Sequence, residues 1–141
     1  MFGIIIGVVL IIIIIAVAAS ISAAPRHYTL MQSGQVETLS PGYFYYVNFT
    51  VPSGASSISI TGSYISSGDV NAAVIPSSEF SNVAGNPSAM ANGLWYSGDN
   101  TGATISVSLS PGSYTLIFYN TNLITTDTFS IVNAITLGYT S

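Results

Sequence analysis

The stretch ATISVSLSPGSYTLIFYN, residues 103–120, decides the fold class. Its first half alternates strictly: Ala103, Ile105, Val107 and Leu109 fall on one parity, with Thr104, Ser106 and Ser108 between them. Successive side chains of a strand point to opposite faces, so this pattern reads as a strand with one dry and one wet side. Ser110-Pro111-Gly112 then breaks the pattern with residues suited to a turn. Beyond it Tyr114, Leu116 and Phe118 are apolar on one parity, and Ile117 and Tyr119 on the other. A strand apolar on both faces is central in its sheet or contacts a further layer.

The same grammar extends in both directions. Strand-forming runs occur at Tyr43–Val51, Ser57–Tyr64, Val70–Ile75 and Asp127–Tyr139, separated by Pro52-Ser53-Gly54, Ser66-Ser67-Gly68-Asp69 and Pro76. Short strands at this spacing predict an all-β antiparallel sandwich of about 7–8 strands. Ile58 and Ile60, the alternating set of 103–109, and Phe129, Ile131, Ile135, Leu137 and Tyr139 form the expected core. Asn133 shares the parity of that last set, which calls for either a bulge near Val132–Ala134 or a hydrogen-bonded core amide.

Leu39-Ser40-Pro41-Gly42 precedes an aromatic strand, and so does Leu109-Ser110-Pro111-Gly112. Proline presets the second position of a type II turn and glycine accepts the third, so both copies are expected to be type II turns at related places in the fold. Between Pro76 and Thr101 the pattern relaxes. Ser77-Ser78-Glu79 is expected to cap a single helical turn reaching Val83, and Gly85-Asn86-Pro87, Asn92-Gly93 and Gly98-Asp99-Asn100 are turns. This stretch carries Trp95, Tyr96, Phe80 and Met90, candidates for a contact surface. Leu94-Trp95-Tyr96 also reads as one more strand, with Trp95 closing an end of the core.

Ahead of this lies MFGIIIGVVLIIIIIAVAASISAA, residues 1–24, without a charged side chain. At 1.5 Å per residue a helix over 2–24 is long enough to cross a hydrocarbon layer about 30 Å thick. The expected organisation is therefore a hydrophobic anchor helix at 1–24, a short juxtamembrane linker or first strand at 25–36, and a β-sandwich domain at 37–141. No Lys or Arg precedes the apolar run, and the run exceeds the roughly 7–15 residues of a signal-peptide core, which favours an uncleaved anchor over a cleaved one. Gly3 and Gly7 form a G-x-x-x-G, and Ala16 and Ser20 continue small residues at four-residue spacing, a ridge suited to helix packing in a bilayer or a filament core. Arg26 and His27 follow the helix and vote for an inside location by the positive-inside rule. The lysine-free composition downstream and the sequon Asn48-Phe49-Thr50 vote the other way, so the expectation is N-terminus in and β domain outside, with Asn48 a candidate glycosylation site.

Composition restricts the function further. Charged residues are 4% of the 141, Arg26 is the one strong base, and the formal net charge is −4. Nucleic-acid binding needs basic groups to displace counterions from phosphates, and this chain lacks them. The 49% apolar fraction and the nine Tyr and six Phe argue for a folded head. Surface groups such as Ser, Thr, Asn and Tyr do not ionise in the acid range, so solubility and cohesion are expected to persist over a wide pH span. With no cysteine and one histidine, neither a disulfide framework, a thiolate nucleophile nor a zinc site of the usual ligands is available. His27 lies far in sequence from Glu37, Asp69, Glu79, Asp99 and Asp127, which sit singly in turn-like contexts. Neither a Ser-His-Asp arrangement nor a calcium loop rich in carboxylates is supported. No enzyme activity, cofactor or metal is expected.

The LSPG-plus-aromatic-strand unit, Ile58–Tyr64, Leu109–Asn120 and the closing Leu137-Gly138-Tyr139 together resemble the small β-sandwich modules of membrane-anchored archaeal surface proteins, over about residues 35–139. In layout alone, an apolar N-terminal helix before a β head also resembles archaeal type IV pilins, without the basic leader of their precursors. The resemblance implies a surface or structural role and no fixed functional residues. Expected partners are membrane lipid through residues 2–24, and further copies of the chain or envelope, filament or virion components. A carbohydrate- or ligand-binding module stacking its ligand on Trp95 and Tyr96, and a pilin-like filament subunit, are the alternatives.

Overall fold

The computed structural model describes residues 4–8 and 24–141. Among these residues ten strands follow one another as β1 (Ile4–Val8), β2 (Pro25–Met31), β3 (Val36–Leu39), β4 (Tyr43–Val51), β5 (Ser56–Ser66), β6 (Val70–Pro76), β7 (Trp95–Tyr96), β8 (Gly102–Leu109), β9 (Gly112–Asn120) and β10 (Asp127–Thr140). They form two sheets, one ordered β1-β4-β9-β6-β7 and the other β2-β10-β5-β8, with β3 joining β10 ahead of β2. Every pairing is antiparallel except that of β1 with β4. An all-β, two-sheet architecture is thus the architecture that the alternation predicts.

Tyr45, Val47, Phe49, Leu116, Phe118, Val70, Ala72 and Val74 from the first sheet meet Ile58, Ile60, Tyr64, Ile105, Phe129, Ile131, Ile135 and Leu137 from the second. Phe118 and Phe129 stack across the sandwich, with centroids 4.3 Å apart and planes at 15°, and Tyr64 stands edge-on to Phe118 at 5.2 Å. On β8 only Ile105 of the expected set is fully buried, while Ala103, Val107 and Leu109 pack at the margin. The reason is position: β8 is the edge of its sheet.

In β10 the expected bulge is present. Ile131 faces Tyr64 and Thr136 faces Thr61, so β10 uses two more residues than β5 over this interval. Two extra residues leave the alternation in phase, which keeps Phe129, Ile131, Ile135 and Leu137 inward while Val132 and Asn133 are pushed out to solvent. Ser63 Oγ accepts from both the backbone N–H and the Nδ2 of Asn133, at 3.2 and 2.9 Å. The partner strand answers with Gly62, where a Cβ would lie 2.8 Å from the Ile135 Cα. No side chain fits there.

Both LSPG segments carry the chain from the second sheet to the first, β3 into β4 and β8 into β9. They arrive on neighbouring antiparallel strands centred on the pair Val47/Leu116, so they do hold related places. Their geometry differs. Gly42 has φ +74° and Tyr43 N–H donates to Ser40 O at 3.1 Å, a type II turn as expected. Gly112 has φ +154°, far from the roughly +80° of a type II turn, and already pairs with Val51. Here the Tyr114 hydroxyl donates to Ser110 O and fastens the corner instead.

β9 is central, as its two apolar faces require. Its outward residues Ile117 and Tyr119, with Phe44, Ala73 and Ile75, lie under a short helical layer that supplies Val83 and Met90. That layer comprises a 3-10 turn (Ser77–Glu79), helix α1 (Phe80–Gly85) and a second 3-10 segment (Pro87–Asn92). The helical turn reaching Val83 is therefore present, though without a side-chain cap on its first residue.

The N-terminal segment needs a correction over its described part. Ile4–Val8 is a strand, parallel to β4, where a helix was expected. β-Branched residues favour strands wherever a sheet edge offers pairing, and hydrocarbon would instead force them into a helix. The remainder of the expected helix lies outside the described residues, including Gly3, Ala16 and Ser20, while Gly7 falls within β1. Among the described residues no helix is long and apolar enough to cross a membrane. Pro25–Met31, read as linker or first strand, is a strand paired with β10.

Candidate functional site

Three parts of the surface stand out, beginning with the outward face of β2-β10-β5-β8. Strand register places Thr29, Thr136, Thr61 and Ser106 side by side in one row across the four strands. His27, Gly138, Ser59 and Ser108 form a second row, and Val36, Ser130, Ile65 and Gly102 a third on β3, β10, β5 and β8. Rows of this kind repeat about every 4.8 Å between strands and about 6.8 Å along them. The hydroxyls are exposed or half-buried, and His27 at the margin is the one ionisable side chain in these three rows. Val36 and Ile65, more than half exposed, add an apolar spot.

The second feature lies over the outward face of β4, beside β9. Tyr46, Asn48 and Thr50 from its outward face, with Ser77, Phe80, Ser81 and Ser113, line a cleft of about 380 Å³. Phe80 closes on Tyr46 with ring centroids 4.5 Å apart. Asn48, the sequon residue, is half-buried in mid-strand, and its Oδ1 accepts from the Thr115 hydroxyl at 2.6 Å. A more enclosed recess of about 360 Å³ lies between β6 and the helical layer, lined by Ile75, Glu79, Val83, Asn92 and Leu94 among others.

The third is the group around β7. Trp95 pairs with Val74 and packs on the sandwich core, whereas Tyr96 pairs with Ala73 and packs on the outer layer. Neighbours on a strand face opposite ways, so the two rings cannot form one stacking platform. Met90, expected on the contact surface, is 1% exposed and belongs to the outer core. Of the four, Phe80 borders the cleft over β4. Asn71 Nδ2 donates to Tyr96 Oη and to Asp99 Oδ1, both at 2.8 Å, tying β6 to the turn after β7.

No protein-family model matches the chain, and no curated protein does. Among solved structures it is similar to the pre-peptidase C-terminal domain of collagenase from Bacillus anthracis, at 17% identity and a TM-score of 0.43, over 72% of this chain and 90% of that one. A likeness so distant bears on no activity.

Chemically, the described residues bring no three His, Asp or Glu side chains together. Arg26 Nε donates to Ser141 Oγ at 2.8 Å rather than serving a site. Sequence reasoning missed the β4 cleft, which forms only when residues 77–81 fold back over the sheet. The hydroxyl face was half legible, because alternation shows which residues point outward but not which strands lie side by side.

The titration of the head has a definite sign. Burial raises the Glu37 carboxyl above its ordinary 4.5, and burial pushes the Tyr64 phenol up to about 12 from 10. Both groups hold a proton more tightly when folded, so both contribute stability on the acid side. The Glu37 contribution is complete below about pH 4.5 and is lost as pH rises through its raised value. That of Tyr64 is complete below about pH 10 and is lost as pH rises through about 12. Scanning calorimetry is expected to show a melting temperature that holds or rises from pH 7 to pH 4 and falls beyond pH 10. A fall between pH 7 and 4 would reverse the assignment.

Proposed function

We propose that this chain is a non-enzymatic, membrane-anchored surface or structural protein whose β-sandwich head, displayed outside the membrane, associates with copies of itself or with envelope, filament or virion components. The observation that carries this reading is the outward face of β2-β10-β5-β8. Hydroxyls both donate and accept, so such a face is complementary to itself and to other neutral polar surfaces, and no like charges oppose close approach. Residues 1–24 supply the anchor in this reading, crossing the bilayer or lying in a filament core. The resemblance to archaeal surface modules supports it in layout. The ligand-binding alternative loses its platform, since Trp95 and Tyr96 face apart.

Electron microscopy of the full chain, purified in mild detergent, tests it. Ordered polymers or two-dimensional patches are expected, and monomers alone at high concentration would remove the reading. The double variant Thr61→Arg/Ser106→Arg, both on exposed positions of one row, should leave the melting temperature within a few degrees while weakening association at least tenfold.

A further inference from the structure

Among the described residues strand β4 is covered over its whole length on one side only. On one side β9 pairs with it from Phe44 to Val51. On the other, β1 meets only Tyr43 to Tyr46, and its register slips between Ile5 and Val8. Among the described residues Val47 to Val51 has no strand on that side. An uncovered edge is a template for a further strand, and the cleft of Tyr46, Asn48, Thr50, Ser77, Phe80 and Ser81 runs along this same part of β4. An added strand would satisfy its backbone on the edge and turn alternate side chains toward the cleft.

We infer that in the assembled state the β4 edge receives the N-terminal strand of a second copy of this chain. The chemistry of the occupant is set by what already sits there: an uncharged Ile/Val segment aligned parallel to β4. The apolar run does not stop at Val8 but continues through residue 17, so sequence of the right type exists to match all of β4. Within one chain the segment must return to Pro25, on the opposite sheet, and its register on β4 already slips between Ile5 and Val8. A segment from another copy carries no such tether. Each chain then gives one strand and receives one, a head-to-tail contact that propagates as a filament unless it closes into a ring. The inference rests on the self-association reading, and in the assembled state it takes the donated segment out of the bilayer, since one stretch cannot both pair with β4 and span hydrocarbon as a helix.

The absence of native cysteine makes the test direct. Ile4 and Tyr43 are paired across β1 and β4. Ile4→Cys chains and Tyr43→Cys chains are unfolded, mixed, refolded in detergent and oxidised, and compared with a chain bearing both substitutions. The mixture is expected to give disulfide-linked dimers containing one chain of each kind, and the double variant a ladder of linked polymers on non-reducing gels. A double variant that links only within itself, with an unlinked mixture, would overturn the exchange between copies. No disulfide in either sample would overturn the docking on β4 altogether. As a second measurement, a chain lacking residues 1–17 accepts but cannot donate, so adding one part in ten should shorten the polymers; unchanged length counts against the inference. Polymers that persist in micrographs without interchain disulfides would leave the self-association reading standing, whereas their absence removes both.

Discussion

Phe118→Ala is expected to cost the head about 4 kcal/mol, within the roughly 3–5 kcal/mol typical of Phe→Ala in a core. Phe118 is fully buried on central strand β9 and is the ring on which the two sheets converge. It stacks on Phe129 of β10, meets Tyr64 of β5 edge-on, and lies 6.4 Å from Tyr45 of β4. Tyr64 cannot swing into the space left behind, because its hydroxyl donates to Val70 O at 2.7 Å. The cavity therefore stays open, and the loss includes both the transfer of the ring and its edge and stacking contacts. Against a total of about 5–15 kcal/mol for an ordinary domain, a large share of the stability goes. Denaturant unfolding followed by near-ultraviolet circular dichroism checks it, with Phe80→Ala as the comparison. Phe80 is half-buried and packs on the outer layer against Tyr46, so its removal should cost about 1–2 kcal/mol. Equal losses would mean that the sandwich core does not dominate the stability.

How far the fold could be read from residues depended on whether the determining contacts were periodic or long-range. Ile105 with its neighbours, and Phe129 to Tyr139, could be read because each strand has one wet face, and Asn133 exposed the bulge because an amide in that core would need partners. The first LSPG turn followed from local chemistry. The second did not, since Tyr114, two residues beyond Gly112, takes the Ser110 carbonyl and removes the need for a tight turn. Met90 illustrates another limit. A lone apolar residue among turns looks exposed until one knows that Phe44, Ile75 and Ile117 present a second apolar face beneath it. For Ile4–Val8 the residues favour a strand beside a sheet and a helix in hydrocarbon, so sequence leaves the choice to the surroundings. The candidate contact face shows the same division: its hydroxyls were visible in the alternation, whereas its rows depend on β2 and β8 flanking β10 and β5.

Asn120 carries the second large effect, and nothing periodic announced it. It ends β9 fully buried, and its Nδ2 donates to Leu39 O and Thr125 O, each at 3.0 Å, while Oδ1 accepts from Asn122 N–H at 2.9 Å. Its backbone carbonyl accepts from Gly42 N–H, so one residue joins the first LSPG turn to the connection between β9 and β10. Asn120→Leu leaves two carbonyls and one N–H without partners, at about 1–3 kcal/mol for each group that stays buried, and a loss of about 3–4 kcal/mol is expected. Asn120→Asp separates hydrogen bonding from packing, because the side chain keeps its size. At neutral pH a carboxylate would face two carbonyl oxygens it cannot donate to, and the loss should equal or exceed that of the leucine variant. Protonation restores a single donor, so the aspartate variant should recover part of its stability as the pH falls below about 5, while the leucine variant should not. Asn122→Ala, which removes only the acceptor for Ile124 and Thr125 N–H in the same loop, should cost about 1 kcal/mol. Melting curves of the three variants at pH 7 and pH 4 decide the matter. An aspartate variant indifferent to pH would mean that the Asn120 amide does not hold the two connections together.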